Sequence, residues 1–203
     1  MFITQCFTVV RSADTLLCPK SYTTDATLTN HTIYAPAKPP ADLKLPVIVW
    51  GETGCTRNGL VFQAFLTEVA SYGVFIIAAG TPNGPGNPNG IYDTEHPDGT
   101  ILRQGVDWIT AAVKNGNTKY ANVDVSRIAA AGQSCGGTQA YQLAQDPRVT
   151  AIGIFNSGIT NASEPLPTTI TKPIFYFLGG PTDIAYKNVG APLNRHWRSG
   201  GVS

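Results

Sequence analysis

Five residues, Gly132-Gln133-Ser134-Cys135-Gly136, carry the clearest chemical signature in the sequence. A serine hydroxyl attacks a carbonyl only if it projects from the backbone where a base can reach it. Serine flanked by glycines at this spacing meets that need on a tight strand-to-helix turn. The glycines allow a strained backbone and a close approach of helix to strand. With 21 glycines in the chain, such a match also arises by chance, so its context must decide. The apolar run Val125 to Ala131 precedes it as a strand, and Gly136 to Gln145 follows as a helix ended by Pro147.

A hydroxyl that attacks a carbonyl creates an oxyanion, which needs backbone N–H donors aimed at it. One donor would be the amide of Cys135, directly after the serine. The other would come from Trp50-Gly51-Glu52-Thr53-Gly54-Cys55, with Glu52 or Thr53 favoured. Taken alone, this segment also reads as an ordinary glycine-containing turn. Cys55 and Cys135 should approach one another in such a fold. They would then form either a disulfide or two small buried thiols. Cys6 and Cys18 could pair in the N-terminal arm.

Positioning these residues falls to a regular alternation of strands and helices. Residues 1–30 read as an irregular arm and His31 to Ala35 as a short strand. Pro36 to Pro46 is a proline-rich loop. Val47 to Trp50 and Val74 to Ala78 are short continuous apolar runs, the pattern of strands buried on both faces. Between them Val61, Phe62, Phe65, Leu66 and Val69 recur at helical spacing, up to Gly73. Leu102, Val106, Ile109 and Val113 mark a second helix, with Thr100 or Asp98 as its cap. Ala151 to Phe155 and Pro173 to Leu178 are two further strands. This order predicts an α/β fold: a mostly parallel sheet with helices on both faces and its site at the C-terminal strand ends.

Composition narrows the function. The chain has 203 residues, enough for one domain, and a net charge of +1. So weak a field does not recruit nucleic acid or an anionic membrane. The apolar runs are strand-length, well short of the roughly 20 residues of a membrane span, so a soluble protein is expected. Low charge (13%) and the triplets Asn30-His31-Thr32 and Asn161-Ala162-Ser163 favour a secreted protein, although Met1 to Val10 is not a clear signal peptide. No cysteine–histidine cluster has zinc spacing and no phosphate-binding glycine loop is present, so neither metal nor cofactor is implied.

From about residue 30 to 187 the sequence resembles the α/β-hydrolase superfamily, in its branch of dienelactone-hydrolase-like and polyester-hydrolase-like serine esterases, especially fungal secreted members. The resemblance is carried by Pro46-Val47-Ile48-Val49-Trp50-Gly51, by Val123-Asp124-Val125-Ser126-Arg127-Ile128 leading into Gly132 to Gly137, and by Phe177-Leu178-Gly179-Gly180-Pro181-Thr182-Asp183. It implies an α/β-hydrolase domain over 31–187. It also implies that Asp183 is the acid that orients a histidine; the alternative reading is a loop aspartate or a helix N-cap before Ile184-Ala185-Tyr186. The chain order serine, acid, histidine leaves only His196 as base. His31 and His96 precede the serine and are expected at the surface. The tail 188–203 lacks a strand pattern and a Gly-His-Gly-like loop. The expectation is therefore a fold without its last strand and histidine loop, its tail read from a wrong frame or a retained intron.

The implied reaction is hydrolysis of a small-molecule or polymeric ester through an acyl-enzyme on Ser134, with no specific protein partner. The loops 80–99 and 156–170 would border the cleft, with Tyr92 and Phe155 lending it apolar surface. The alternative is a catalytically incomplete domain serving as a binding module or a truncated product. Acyl transfer or amide cleavage would use the same residues.

Overall fold

The computed structural model describes residues 22–84, 98–158 and 170–186. Seven strands form one sheet: β1 (Thr23–Asp25), β2 (Leu28–Tyr34), β3 (Leu45–Gly51), β4 (Phe75–Ala79), β5 (Val123–Gln133), β6 (Val149–Phe155) and β7 (Ile174–Phe177). Three α-helices connect them: α1 (Gln63–Ser71), α2 (Thr100–Lys114) and α3 (Cys135–Gln142). The spatial order is β1-β2-β4-β3-β5-β6-β7. Neighbours from β4 to β7 run parallel, and β1 and β2 are antiparallel additions. The class is α/β.

The order explains the layers. The chain steps from β3 to β4 in one direction, then from β4 across β3 to β5 in the other. Crossovers of one hand that reverse direction place their helices on opposite faces. Strand residues alternate accordingly. Val47, Val49, Phe75, Ile77, Ile128 and Ala130 pack with Leu102, Val106 and Ile109 of α2 and Tyr141 of α3. Trp50, Ile76, Ala78 and Ala131 pack on the other face with Leu66 and Ala70 of α1. There Trp50 meets Phe62, Phe65 and Phe155 edge-on or tilted, and Phe155 stacks on Phe177 at 4.3 Å.

Several boundaries differ from expectation. β1 and the start of β2 fall inside the stretch read as an irregular arm. Thr23–Asp25 has no apolar alternation, but Asp25 accepts from Thr27, Lys119 and Tyr120, fastening β1 across the sheet. Those donors hold the Asp25 carboxyl far below the ordinary carboxylate range. α3 begins at Cys135 and continues into a 3-10 turn, Leu143–Gln145. Neither proposed residue caps α2 in the usual way. Gly99 occupies the N-cap in a left-handed conformation (φ 75°), and Asp98 reaches past it to accept from the Thr100 amide and hydroxyl.

Candidate active site

β3 lies between β4 and β5, the point where the strand order turns back on itself. In open α/β sheets the crevice outside the strand ends at that point receives ligands. The register aligns its rim: Gly51 pairs with Gly132, Gln133 with Phe155, and Phe155 with Phe177. The residues just beyond are Glu52, Ser134, Asn156 and the segment leading to Asp183.

Ser134 stands between β5 and α3 with φ 53° and ψ −120°, a conformation that L-residues rarely adopt. Its neighbours over-determine it. The Ser134 amide donates to the Phe155 carbonyl, and its own carbonyl accepts from Gly137, Thr138 and the Ser157 hydroxyl. The glycines of the motif have no room for a side chain. A Cβ on Gly136 would lie 2.0 Å from the Gly51 carbonyl oxygen, and one on Gly132 would lie 2.3 Å from that of Gly136. β3, β5 and α3 therefore touch backbone to backbone beneath the serine, and only glycine permits this.

Cys135 opens α3, so its amide is among the first-turn donors without an intrahelical acceptor. The Glu52 amide lies against the same turn, since a Cβ on Gly136 would come within 2.7 Å of it. Thr53 begins a short 3-10 turn, Thr53–Cys55. Cys55 and Cys135 form a disulfide with Cα atoms 5.2 Å apart, which selects the first of the two readings of these cysteines. Closing 80 residues, it stabilises the fold by about 4.5 kcal/mol through the entropy it removes from the unfolded chain.

The Glu52 side chain is a feature that sequence reasoning missed. It is 0% exposed, and neither carboxyl oxygen has a hydrogen-bond partner. Burial pushes its pKa up to about 8, so it stands neutral at pH 7. The nearby Trp50 indole pulls the other way but makes no hydrogen bond of ordinary geometry.

Asp183 follows β7. Its Oδ1 accepts from the Ala185 amide and its Oδ2 from the Gly179 amide and the Asn156 side-chain amide. These donors, the Ala185 amide first, hold its pKa below the ordinary value. A carboxylate has about four lone-pair positions, so these three donors leave one for another N–H. Two strand spacings, about 10 Å, separate the ends of β5 and β7.

Asn156 and Ser157, also missed, join these two groups. Asn156 has φ 43°, donates its amide to the Phe177 carbonyl and its side chain to Asp183, while Ser157 holds the Ser134 carbonyl. An Asn directly after an apolar strand run, a residue type that tolerates positive φ, was the available signal.

His196 and His96 lie outside the described residues, as do Tyr92, Cys6, Cys18 and Asn161. His31 corrects an expectation. It is buried, not at the surface, with Nε2 on the Ile101 carbonyl, and burial lowers its pKa. It lies on β2, with β4 and β3 between it and β5. Among the described residues no group of three or more His, Cys, Asp or Glu could hold a metal ion. Among them, too, no helix is long and apolar enough to cross a membrane.

Two comparisons with known proteins return nothing: no family model matches the chain, and no curated protein matches it.

Proposed function

We propose that this chain is a serine hydrolase of the α/β-hydrolase type that cleaves carboxylic esters through an acyl-enzyme. The observation that carries the reading is Ser134 itself, held at φ 53° on a strand-turn-helix by glycines with no room for a methyl group. Strain of this kind persists where surroundings enforce it and clusters at reactive positions. Ser134 Oγ adds to the ester carbonyl, and the amides of Cys135 and of Glu52 or Thr53 take up the oxyanion. Asp183, with its remaining lone pair, orients a histidine, for which chain order leaves His196. Water then releases the acyl group. Phe155 and its aromatic neighbours suit a neutral, partly apolar ester, acted on extracellularly.

A second reading has its own support. The one described histidine, His31, sits on the distant strand β2, tied to the Ile101 carbonyl of α2. On this reading the strand-to-helix turn that carries Ser134, its elbow, is present without its base, and the domain binds rather than turns over.

Intact-mass measurement after fluorophosphonate treatment separates the two. One adduct on the parent and none on Ser134→Ala is the expected result. No adduct on a folded parent would overturn the enzyme reading in favour of the incomplete domain.

A further inference from the structure

We propose that the Cys55–Cys135 disulfide is a positioning device for the oxyanion hole, fixing its two backbone donors relative to Ser134. The inference rests on the serine-hydrolase reading. Cys135 follows Ser134 and carries one donor. Cys55 ends the Thr53–Cys55 turn, which, with Glu52 before it, carries the other. The bond therefore joins the two halves of the hole directly.

Among the described residues, few hydrogen bonds hold the first half. Gly54 (φ 60°) and Cys55 (φ 48°) both adopt left-handed conformations, and for Cys55 this is strained. The turn's own backbone bonds are Cys55 N–H to Glu52 and Thr56 N–H to Thr53, at 3.1 and 3.2 Å. No side chain caps the turn at its start, and the Glu52 carboxyl has no hydrogen-bond partner. The Gly51–Gly136 contact secures strand against helix, but it lies before the turn. Strained residues thus stand on both sides of the hole, Cys55 and Ser134, and the disulfide spans them. Donors stabilise a developing charge only if they are already in place, and a misplacement of about 1 Å costs roughly 100-fold in rate.

The test is the rate of fluorophosphonate labelling of Ser134, separated into kinact and KI. Cys55→Ala should lower kinact at least about ten-fold and leave KI within about two-fold, because donors that act on developing charge do not act on binding. A second arm avoids dependence on that variant's folding. The parent is reduced with a phosphine, which takes an oxygen from water as the S–S bond becomes two thiols. Labelling, ellipticity and alkylation of the Cys55 and Cys135 peptides are followed together. Labelling that falls as these thiols appear, while ellipticity holds, and that returns on reoxidation supports the proposal. An unchanged kinact in folded Cys55→Ala, or labelling that outlasts the appearance of both thiols or falls only with ellipticity, overturns it and leaves the hydrolase reading standing. No labelling of the oxidised parent overturns both.

Discussion

Beneath Ser134, the backbones of Gly51, Gly132 and Gly136 are in contact. Two strands away, on β7, Phe175 and Phe177 stand 56% and 51% exposed, and Ile184 beyond them is 91% exposed. The same sheet thus contains a centre where no atom can be added and a margin where large apolar groups face outward. The difference is one of coverage. β3 and β5 are sandwiched between α1 on one face and α2 and α3 on the other, so steric fit decides what those positions tolerate. On β7, Tyr176 is tucked beneath α3, where its hydroxyl hydrogen-bonds that of Tyr141. Its neighbours Phe175 and Phe177 point to the opposite face, where hydration matters more than fit.

The largest effect should come from adding a methyl group at the centre. Gly136→Ala should destabilise by more than about 4 kcal/mol or prevent folding, because backbone atoms, not a yielding side chain, occupy the space. Gly180→Ala, with nothing within 4 Å of its Cβ, should change stability by no more than about 0.5 kcal/mol. Denaturant midpoints of the pair measure the contrast, and equal midpoints would dissolve it.

Glu52 sharpens the comparison through pH. Its folded pKa, about 8, lies above the ordinary value of 4.5. Such a group binds more protons folded than unfolded, so its contribution to stability declines as pH rises from 4.5 to 8. Glu52→Gln should match the parent near pH 4 and exceed it by several kcal/mol near pH 9. Melting curves across that range test this, and parallel curves would refute it.

Asp183 belongs to the open side. On the proposed serine-hydrolase reading, Asp183→Asn should lower kcat on an activated ester by about 10⁴-fold, through the lost orientation of the base, with little change in melting temperature. The smallest effect should follow Phe175→Ser. Its stability should stay within about 1 kcal/mol of the parent, while light scattering should show less self-association, because exposed apolar strands promote it.

What could be read from the sequence follows the same division. The runs Val47 to Trp50 and Val74 to Ala78 are apolar because both faces are covered, and the elbow's glycines are there because nothing else fits. Both are local constraints that leave a local pattern. β1 left none, since Thr23–Asp25 is a strand only by virtue of β2 and the Lys119 and Tyr120 partners of Asp25. The burial of His31 is matched to a carbonyl 70 residues away, and Glu52 is enclosed only once the chain has folded. Such facts belong to the tertiary arrangement. The roles proposed for Asp183 and His196 came from resemblance, and the structure adds Asn156 as the residue that ties Asp183 to the end of β6.

The backbone contact of Gly51, Gly132 and Gly136 also limits how such a chain can change over generations. A side chain gained at any of the three would meet main-chain atoms of another, so no second substitution nearby could absorb it. Loops, surface and much of each helix face can drift independently of this contact. A lineage built on it could therefore lose nearly all detectable kinship while keeping a few glycines at fixed spacings, and those would be the last sign of its descent to fade.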